Sequence, residues 1–224
     1  MTIAAAELSI VVPTYNERAN IPELVERIGR ALPGIAWEVI VVDDDSPDGT
    51  GAAVRALYAD EPRVRCLSRI GRRGLSSACI EGWLSSSAPF LAVMDADLQH
   101  DPAQLREMFE VVRQQQADLV IASRYMAGGE AQDWRGRRLW LSRLATRLSA
   151  PILKHRVSDP MSGFFLFRRA VFDGCVRRLS GLGFKILADM LASLDAAVRI
   201  REVPCRFGVR HAGESKLSAN VEFE

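Results

Sequence analysis

Several features that announce a specialised chain are missing here. There is no surplus of charge: 29 Lys and Arg face 28 Asp and Glu, for a formal charge of +1. A general polyanion binder carries a marked basic excess, so nucleic acid is not an expected partner. Cysteine is sparse. Cys66, Cys79, Cys175 and Cys205 include no CxxC pair and have no histidine cluster beside them, which argues against a zinc site or a disulfide framework. They read as reduced core residues of a cytoplasmic protein. No apolar run approaches the ~18 residues of a membrane span. The opening MTIAAAELSIVVP lacks the basic stretch of a secretory signal. The first strand is not followed by GxGxxG, and neither GxxxxGK[ST] nor GxSxG occurs, so the dinucleotide, P-loop and nucleophile-elbow signatures are all absent.

What remains is a well-balanced globular chain. Its 224 residues are 48% hydrophobic and 25% charged, enough for one large domain with a real core. The basic residues are nearly all arginine, since only Lys154, Lys185 and Lys216 are lysines. Arginine grips phosphate bidentately.

The first half alternates strand and helix. Apolar runs at Leu8 to Pro13, Trp37 to Asp43, Val64 to Leu67, Phe90 to Asp95 and Asp118 to Ser123 predict strands. Between them, helices are predicted from Asn20-Ile-Pro-Glu23 with Leu24, Ile28 and Leu32 at helical spacing, and over Gly49 to Ala59, Leu75 to Leu84 and Pro102 to Gln115. Asn20 is the expected cap of the first helix. Near-continuous apolar strands between helices predict a parallel sheet covered on both faces, a doubly wound α/β domain. The second half is less regular. Residues 138 to 153 and Ile186 to Leu194 read as helices, and Ser162 to Arg169 and Val198 to Val203 as strands. A single domain over 1–224 is expected, with a nucleotide-sugar half (1–117) and an acceptor half (118–224).

Such sheets bind ligands beyond the carboxyl ends of their strands, where this chain sets polar clusters. VVDDDSPDGT (41 to 50) puts three successive carboxylates at a strand end. A turn with a helix cap explains Asp48 but not the run, and Asp44 is suited to accept hydrogen bonds from a nucleobase or ribose. In VMDADLQ (93 to 99), Asp95, Asp97 and Gln99 recur at every second position. On an extended stretch they share one side. Two carboxylates and an amide oxygen suit a hard divalent cation that also binds phosphate; the alternative is a capped turn before Pro102. His100, His155 and His211 read as peripheral.

Two basic segments complete the pattern. Around 138 to 153, Trp140, Leu141, Leu144, Leu148 and Ile152 share one helical arc, and Arg138 and Ser142 lie on a neighbouring stripe. This is either an ordinary amphipathic helix or one resting at a membrane surface with Arg138 and Ser142 gripping a phosphate. RFGVRHAGESKL, with Arg206, Arg210 and Lys216, is either a solvated tail or a loop that closes over phosphates.

Together these stretches resemble glycosyltransferase family 2, and within it the polyprenol-phosphate mannose synthases. The matching segments are VVPTYNE, VVDDDSPDGT, SRIGRRGLSSA, MDADLQHDP, ASRYMAGG, SDPMSGFFLFRR, GFKIL and VRHAGESKL, in order along nearly the whole chain. The resemblance implies the GT-A nucleotide-sugar transferase fold, a Rossmann-like, mostly parallel sheet with helices on both faces. It implies donor contacts from Pro13, Tyr15, Glu17, Val42, Asp44, Asp95, Ala96, Lys185, Arg210 and Lys216. Mg²⁺ or Mn²⁺ would be held by Asp95, Asp97 and Gln99. The acceptor phosphate would meet Arg124, Arg138 and Ser142, and Asp97, Arg124 and Arg138 would be catalytic.

The implied reaction moves mannose from GDP-mannose to a polyprenyl monophosphate with inversion. The acceptor is already an anion, so the task is to bring two anions together rather than to deprotonate a nucleophile. Asp159 has two open roles, orienting the sugar or capping a turn. Asp45 and Ser76-Ser77 depart from the family's usual Asn and Gly-Thr. Family members continue past GESKL into a further helix and often into membrane spans. The resemblance therefore implies either a missing C-terminal segment or a membrane-spanning partner, with the chain peripheral at the cytoplasmic face of a membrane. Two other readings stand beside this one: a family 2 transferase using UDP-glucose or another nucleotide sugar on a lipid phosphate, and a non-catalytic nucleotide-sugar-binding subunit. A nucleotidyltransferase would carry a Gly-rich basic N-terminal signature, which VVPTYNE is not.

Overall fold

The computed structural model describes residues 5–126, 130–131 and 155–208. Its elements, in chain order, begin with β1 (Leu8–Thr14), α1 (Ile21–Ala31), β2 (Trp37–Asp43), α2 (Thr50–Asp60), β3 (Val64–Ser68), α3 (Leu75–Leu84), β4 (Phe90–Val93), α4 (Gln104–Arg113) and β5 (Leu119–Ser123). They continue with β6 (Glu130–Ala131), β7 (Phe165–Arg168), α5 (Arg169–Cys175), a short 3-10 turn, α6 (Ile186–Ser193), β8 (Ile200–Pro204) and β9 (Arg206–Phe207). The strand–helix alternation of the first half is as the apolar periodicity predicts, with boundaries shifted by a residue or two. The helix expected over 138 to 153 lies outside the described residues.

The main sheet has seven strands in the order β3-β2-β1-β4-β7-β5-β8. From β1 the chain winds outward through β2 and β3, then returns to lay β4 on the other side of β1. The crevice between β1 and β4 is therefore the topological switch point. Thr14, Asp43 and Ser68 stand level at the ends of β1, β2 and β3, so the loops that follow open on the same edge. The sheet is mostly parallel, as expected, and its one antiparallel strand is β7, which runs between β4 and β5. The two predicted halves thus share one continuous sheet. A second, two-stranded sheet pairs β6 with β9.

Alternating side chains feed two cores, one on each face. Leu8, Ile10 and Val12 face α1 and α4, whose buried stripe includes Leu24, Ile28, Leu105, Met108 and Phe109. Val11, Ile40 and Val42 face α3, α5 and α6. Trp83 anchors this second layer. It is fully buried and donates from Nε1 to Ala92 O at 3.2 Å. Edge-on rings of Phe165, Phe167 and Phe172 surround it. Helix α3 reaches the sheet closely because Gly82 lies against Val11 and Val42. The four cysteines are free thiols, three buried and Cys66 half-buried, as expected.

The start of α1 corrects one detail. Asn20 makes no side-chain cap. Its amide donates instead to Glu17 Oε2 at 2.6 Å, so Pro22 in the first turn and the buried apolar stripe define this helix start.

Candidate active site

The loops after β1 and β2 are laced together. Three successive main-chain N–H groups, of Asn16, Glu17 and Arg18, donate to Ser46 Oγ, Thr50 Oγ1 and Asp48 Oδ2. Asp48 also accepts the Thr50 N–H at 2.9 Å, which is the turn role predicted for it. The lacing holds Asn16 in the left-handed region at φ 55° and buries Glu17. Pro13 is half-buried within β1. Tyr15 stands at the end of β1 with the Arg73 guanidinium 4.2 Å from its ring centroid and donating to its hydroxyl at 2.6 Å.

Asp44 is more confined than its sequence suggests. Its Oδ2 accepts the Gly74 N–H at 2.8 Å, and Arg69 Nη1 lies 3.0 Å from Oδ1 in a buried ion pair. Gly74, at φ 141°, turns the chain into α3. Burial raises the Asp44 carboxyl above its usual 3.8, helped by Asp43 and Glu81 and opposed by Gly74 and Arg69. Asp44 Oδ1 and Arg69 Nε are buried and make no well-aligned hydrogen bond; their neighbours are ion-pair contacts, Arg69 Nη1 at 3.0 Å and Glu81 Oε1 at 3.5 Å. Buried polar atoms left short of hydrogen bonds are costly unless a ligand completes them, which fits a polar nucleoside edge at this place. The Val42 side chain lies wholly in the core, so any donor contact there falls to its main chain.

The acid motif after β4 needs a correction. Strand β4 stops at Val93, and residues 96 to 98 form a turn with Leu98 at φ 60°. Asp95, Asp97 and Gln99 are therefore gathered by a turn and not by strand alternation. Asp97 is buried, with Oδ1 accepting the Gln99 N–H at 3.1 Å. Gln99 is clamped to Gly208, accepting its N–H at 2.8 Å and donating from Nε2 to its carbonyl at 3.3 Å. Ala96 is buried between the two acids.

The turn fits a hard divalent cation by its chemistry. Its side chains offer only oxygen ligands for such an ion, and Asp95 has been given room. A Cβ on Gly163 would stand 2.6 Å from Asp95 Oδ2. Among the described residues no three His, Cys, Asp or Glu side chains form a closed cage. An ion here would be completed by phosphate oxygens and water, as is common for Mg²⁺ with phosphate substrates.

His100, read from the sequence as peripheral, is buried behind Asp95. Its Nε2 lies 3.6 Å from Asp95 Oδ2, and its Nδ1 lies 3.5 Å from Cys205 Sγ. Burial pushes the imidazole down, but the bonds to Asp95 and Cys205 prevail and raise it to about 9. The Cys79 thiol, on the buried face of α3, is pushed up first by burial and then by Asp95, with Asp44 adding to it against Arg69. One buried group thus feels both acidic strand ends.

Arg124 leaves the end of β5 and is held by Asp159. The carboxylate takes Arg124 Nε at 2.8 Å, Nη2 at 2.9 Å and the main-chain N–H at 3.2 Å. Burial opposes the Arg124 charge, yet these bonds leave the guanidinium more firmly protonated than usual. Asp159, for which two roles stood open, is fully buried with its carboxylate turned onto Arg124. The same segment then passes Ser162, whose hydroxyl donates to Ala122 O at 2.7 Å, and reaches Gly163 beside Asp95. Residues 159 to 163 therefore touch both the cation at the end of β5 and the acid turn at the end of β4. They do so because β7 enters the sheet antiparallel.

Lys185 is exposed at the start of α6. The preceding loop meets α3 through Ser76 N–H and Gly183 O at 3.1 Å. Arg138, Ser142, Arg210 and Lys216 lie outside the described residues. Residues that the sequence did not bring forward are Arg69, His100, Gly163 and Glu202. For Gly163 a signal was present in the Ser-Gly that precedes the strand, a place where close approach favours glycine. The others show only through long-range contacts.

Comparison with known proteins gives a consistent picture. Residues 9–175 match Glycosyl transferase family 2. A dolichol-phosphate mannosyltransferase of Pyrococcus furiosus is 40% identical over 221 residues, covering 97% of this chain. This chain spans 61% of that relative's length. A dolichol-phosphate mannosyltransferase of Saccharomyces cerevisiae is 39% identical over 96% of this chain and 82% of its own. Among solved structures, glucosyl-3-phosphoglycerate synthase from Mycobacterium tuberculosis, in complex with Mn²⁺, uridine diphosphate and glucosyl-3-phosphoglycerate, superposes with a TM-score of 0.67 at 22% identity. That likeness covers 96% of this chain and 74% of the synthase, and it supports the expected GT-A architecture. The motifs, the sheet order and the relatives agree, and the chain belongs to glycosyl transferase family 2.

Proposed function

We propose that this chain transfers mannose from GDP-mannose to a polyprenyl monophosphate with inversion at the anomeric carbon. The observation that carries the reading is the shared segment 159 to 163. It joins a locked arginine to an oxygen-rich acid turn, two features that a diphosphate donor and a phosphate acceptor both require. The names of the Pyrococcus and yeast relatives support the sugar and the lipid class.

Each residue then has a task. Asp44 and Arg69, a buried ion pair short of hydrogen bonds, receive the polar edge of the nucleoside, and Tyr15, Pro13, Glu17 and the Val42 main chain shape its pocket. Asp95, Asp97 and Gln99 hold Mg²⁺ or Mn²⁺, with Ala96 packed between them. A divalent cation bound there supplies positive charge to the donor diphosphate. Arg124 orients the acceptor phosphate and offsets the repulsion between two anions, and Asp159 keeps its guanidinium in place. Arg138 and Ser142 join Arg124 at the acceptor, and Lys185, Arg210 and Lys216 at the donor. Because the nucleophile is already ionised, no side chain has to act as a strong base. Residues 1–117 serve the donor and 118–224 chiefly the acceptor. No helix among the described residues is long and apolar enough to cross a membrane. We assign the chain to the cytoplasmic face of a membrane, reaching its lipid substrate through its basic surface or a membrane-spanning partner.

The test is turnover with Mg²⁺ or Mn²⁺, a short polyprenyl phosphate, and either GDP-mannose or UDP-glucose. Lipid-dependent release of GDP with formation of a mannolipid is expected. Release from UDP-glucose alone would overturn the donor assignment, and donor binding without turnover would favour a binding subunit.

A further inference from the structure

One carboxylate near this site has no task in the chemistry above. Glu202 lies within β8, the outermost strand beside β5. It is half-buried and turned onto the segment that crosses the end of β5. Its two oxygens each accept the Ser158 N–H at 2.9 Å. Oε1 also takes the Ser158 hydroxyl at 2.7 Å and the Asp159 N–H at 3.2 Å. The same hydroxyl lies 2.6 Å from Ser123 Oγ, which accepts the Tyr125 N–H at 3.2 Å. A continuous set of hydrogen bonds therefore runs from the sheet edge, through Ser158 and Asp159, to Arg124.

We infer that Glu202 is a positioning residue for the transfer reaction, fixing Asp159 and through it the Arg124 guanidinium. Anchoring a loop needs one acceptor. Here one carboxylate holds two successive main-chain N–H groups and a hydroxyl, which fixes the Asp159 main chain in both position and rotation. Arg124 meets Asp159 fork to fork, a contact with little tolerance for displacement. A shift of about 1 Å at a positioning group costs on the order of 10²-fold in rate. The inference rests on the role given to Arg124 above.

The experiment compares E202A, E202Q, E202D, D159N, R124A and the E202A/D159N double variant. E202A is expected to lower kcat about 100-fold. The donor KM and the Kd for GDP in Mn²⁺ should stay within about twofold of wild type, since a positioning loss falls on kcat and leaves uniform binding intact. E202Q keeps an acceptor oxygen for Asp159 N–H and should recover most of the rate. E202D keeps the charge but withdraws it by one C–C bond, about 1.5 Å, and should resemble E202A; it also serves if E202A does not fold. The double variant should be no slower than D159N alone, because the two residues act as one unit. In spectra of ¹⁵N-labelled arginine, the Arg124 Nε–H should lose its protection from exchange in E202A.

Wild-type kcat per folded molecule in E202A and E202D, with only a lowered Tm, would overturn the inference. So would losses that multiply in the double variant. If R124A itself turns over normally, the role of Arg124 falls and this inference with it. If R124A is inactive while E202A and E202D are normal, only the inference falls.

Discussion

The space that a side chain on Gly163 would fill belongs to Asp95: a Cβ there would lie 2.6 Å from the carboxylate Oδ2 and 3.1 Å from Oδ1. Gly163 and Asp95 are neighbours because β7 enters beside β4 from the opposite direction. Glycine at 163 thus leaves the Asp95 carboxylate where it stands, whereas any side chain there would push it aside.

Gly163→Ala is expected to displace the Asp95 carboxylate and weaken Mn²⁺-dependent GDP binding about tenfold, the scale seen when the support of a metal ligand is disturbed. Titration calorimetry with and without Mn²⁺ measures it. Equal affinities for variant and wild type would refute the packing relationship.

Asp97→Ala removes a buried carboxylate from the proposed metal turn. Metal-stimulated turnover should fall by about 100-fold or more, while the circular dichroism spectrum stays unchanged. EDTA should bring the wild-type enzyme to a similar level, with Mn²⁺ restoring the wild type alone. A variant with full metal-dependent activity would remove Asp97 from the site.

Gly82→Ala tests the close approach of α3. The new methyl would meet Val11 Cγ1 at 2.5 Å and Val42 Cγ2 at 3.0 Å. Overpacking of this kind costs about 1–3 kcal/mol, a fall in Tm of several degrees for a chain of this size. An unchanged Tm would mean that the helix can lift away without loss.

Asp118 offers a pH signature in stability. It stands at the foot of β5 and accepts Arg199 N–H at 3.0 Å, Nε at 2.9 Å and Nη2 at 2.8 Å. The Arg199 hydrogen bonds, with Arg168 adding attraction, hold its carboxyl below the usual 3.8 despite partial burial. A depressed folded-state value stabilises the fold above the unfolded value, and that contribution is lost as pH falls through the folded one. Asp118→Asn should therefore be less stable than wild type at neutral pH. The gap should close as pH drops below about 4, as read by urea unfolding across pH. A gap independent of pH would rule out the charge as its origin.

The first half of the fold was legible because β1, β2 and β5 bury both faces along almost their whole length and α1 and α4 carry apolar stripes at helical spacing. Leu24, Ile28 and Leu32 announce α1 as clearly as Trp37 to Asp43 announces β2. The direction of β7 was not legible: Phe165 to Arg168 is apolar enough for either sense, and only its pairing with β4 and β5 decides. The spacing of Asp95, Asp97 and Gln99 was legible, but the geometry inferred from it was wrong. Spacing alone cannot tell a strand from a turn once Leu98 adopts a left-handed conformation. Asp44 was visible at its strand end, whereas its partner Arg69 was not, since the ion pair depends on how the 69 to 74 loop folds back. Glu202 gave no local sign at all.

The antiparallel insertion of β7 also shapes how the molecule comes together in time. Strand β4 is complete at residue 93, yet the neighbour on its open side begins at residue 165. During synthesis the first half can assemble β3, β2, β1 and β4 while leaving β4 as a bare apolar edge. Long-range pairings of this sort are slow to form, and the unpaired edge is open to aggregation until they do. The acid turn and the locked arginine are joined by the same late event. A nascent chain cannot bring both parts of the proposed site together before the strand that closes its sheet has emerged.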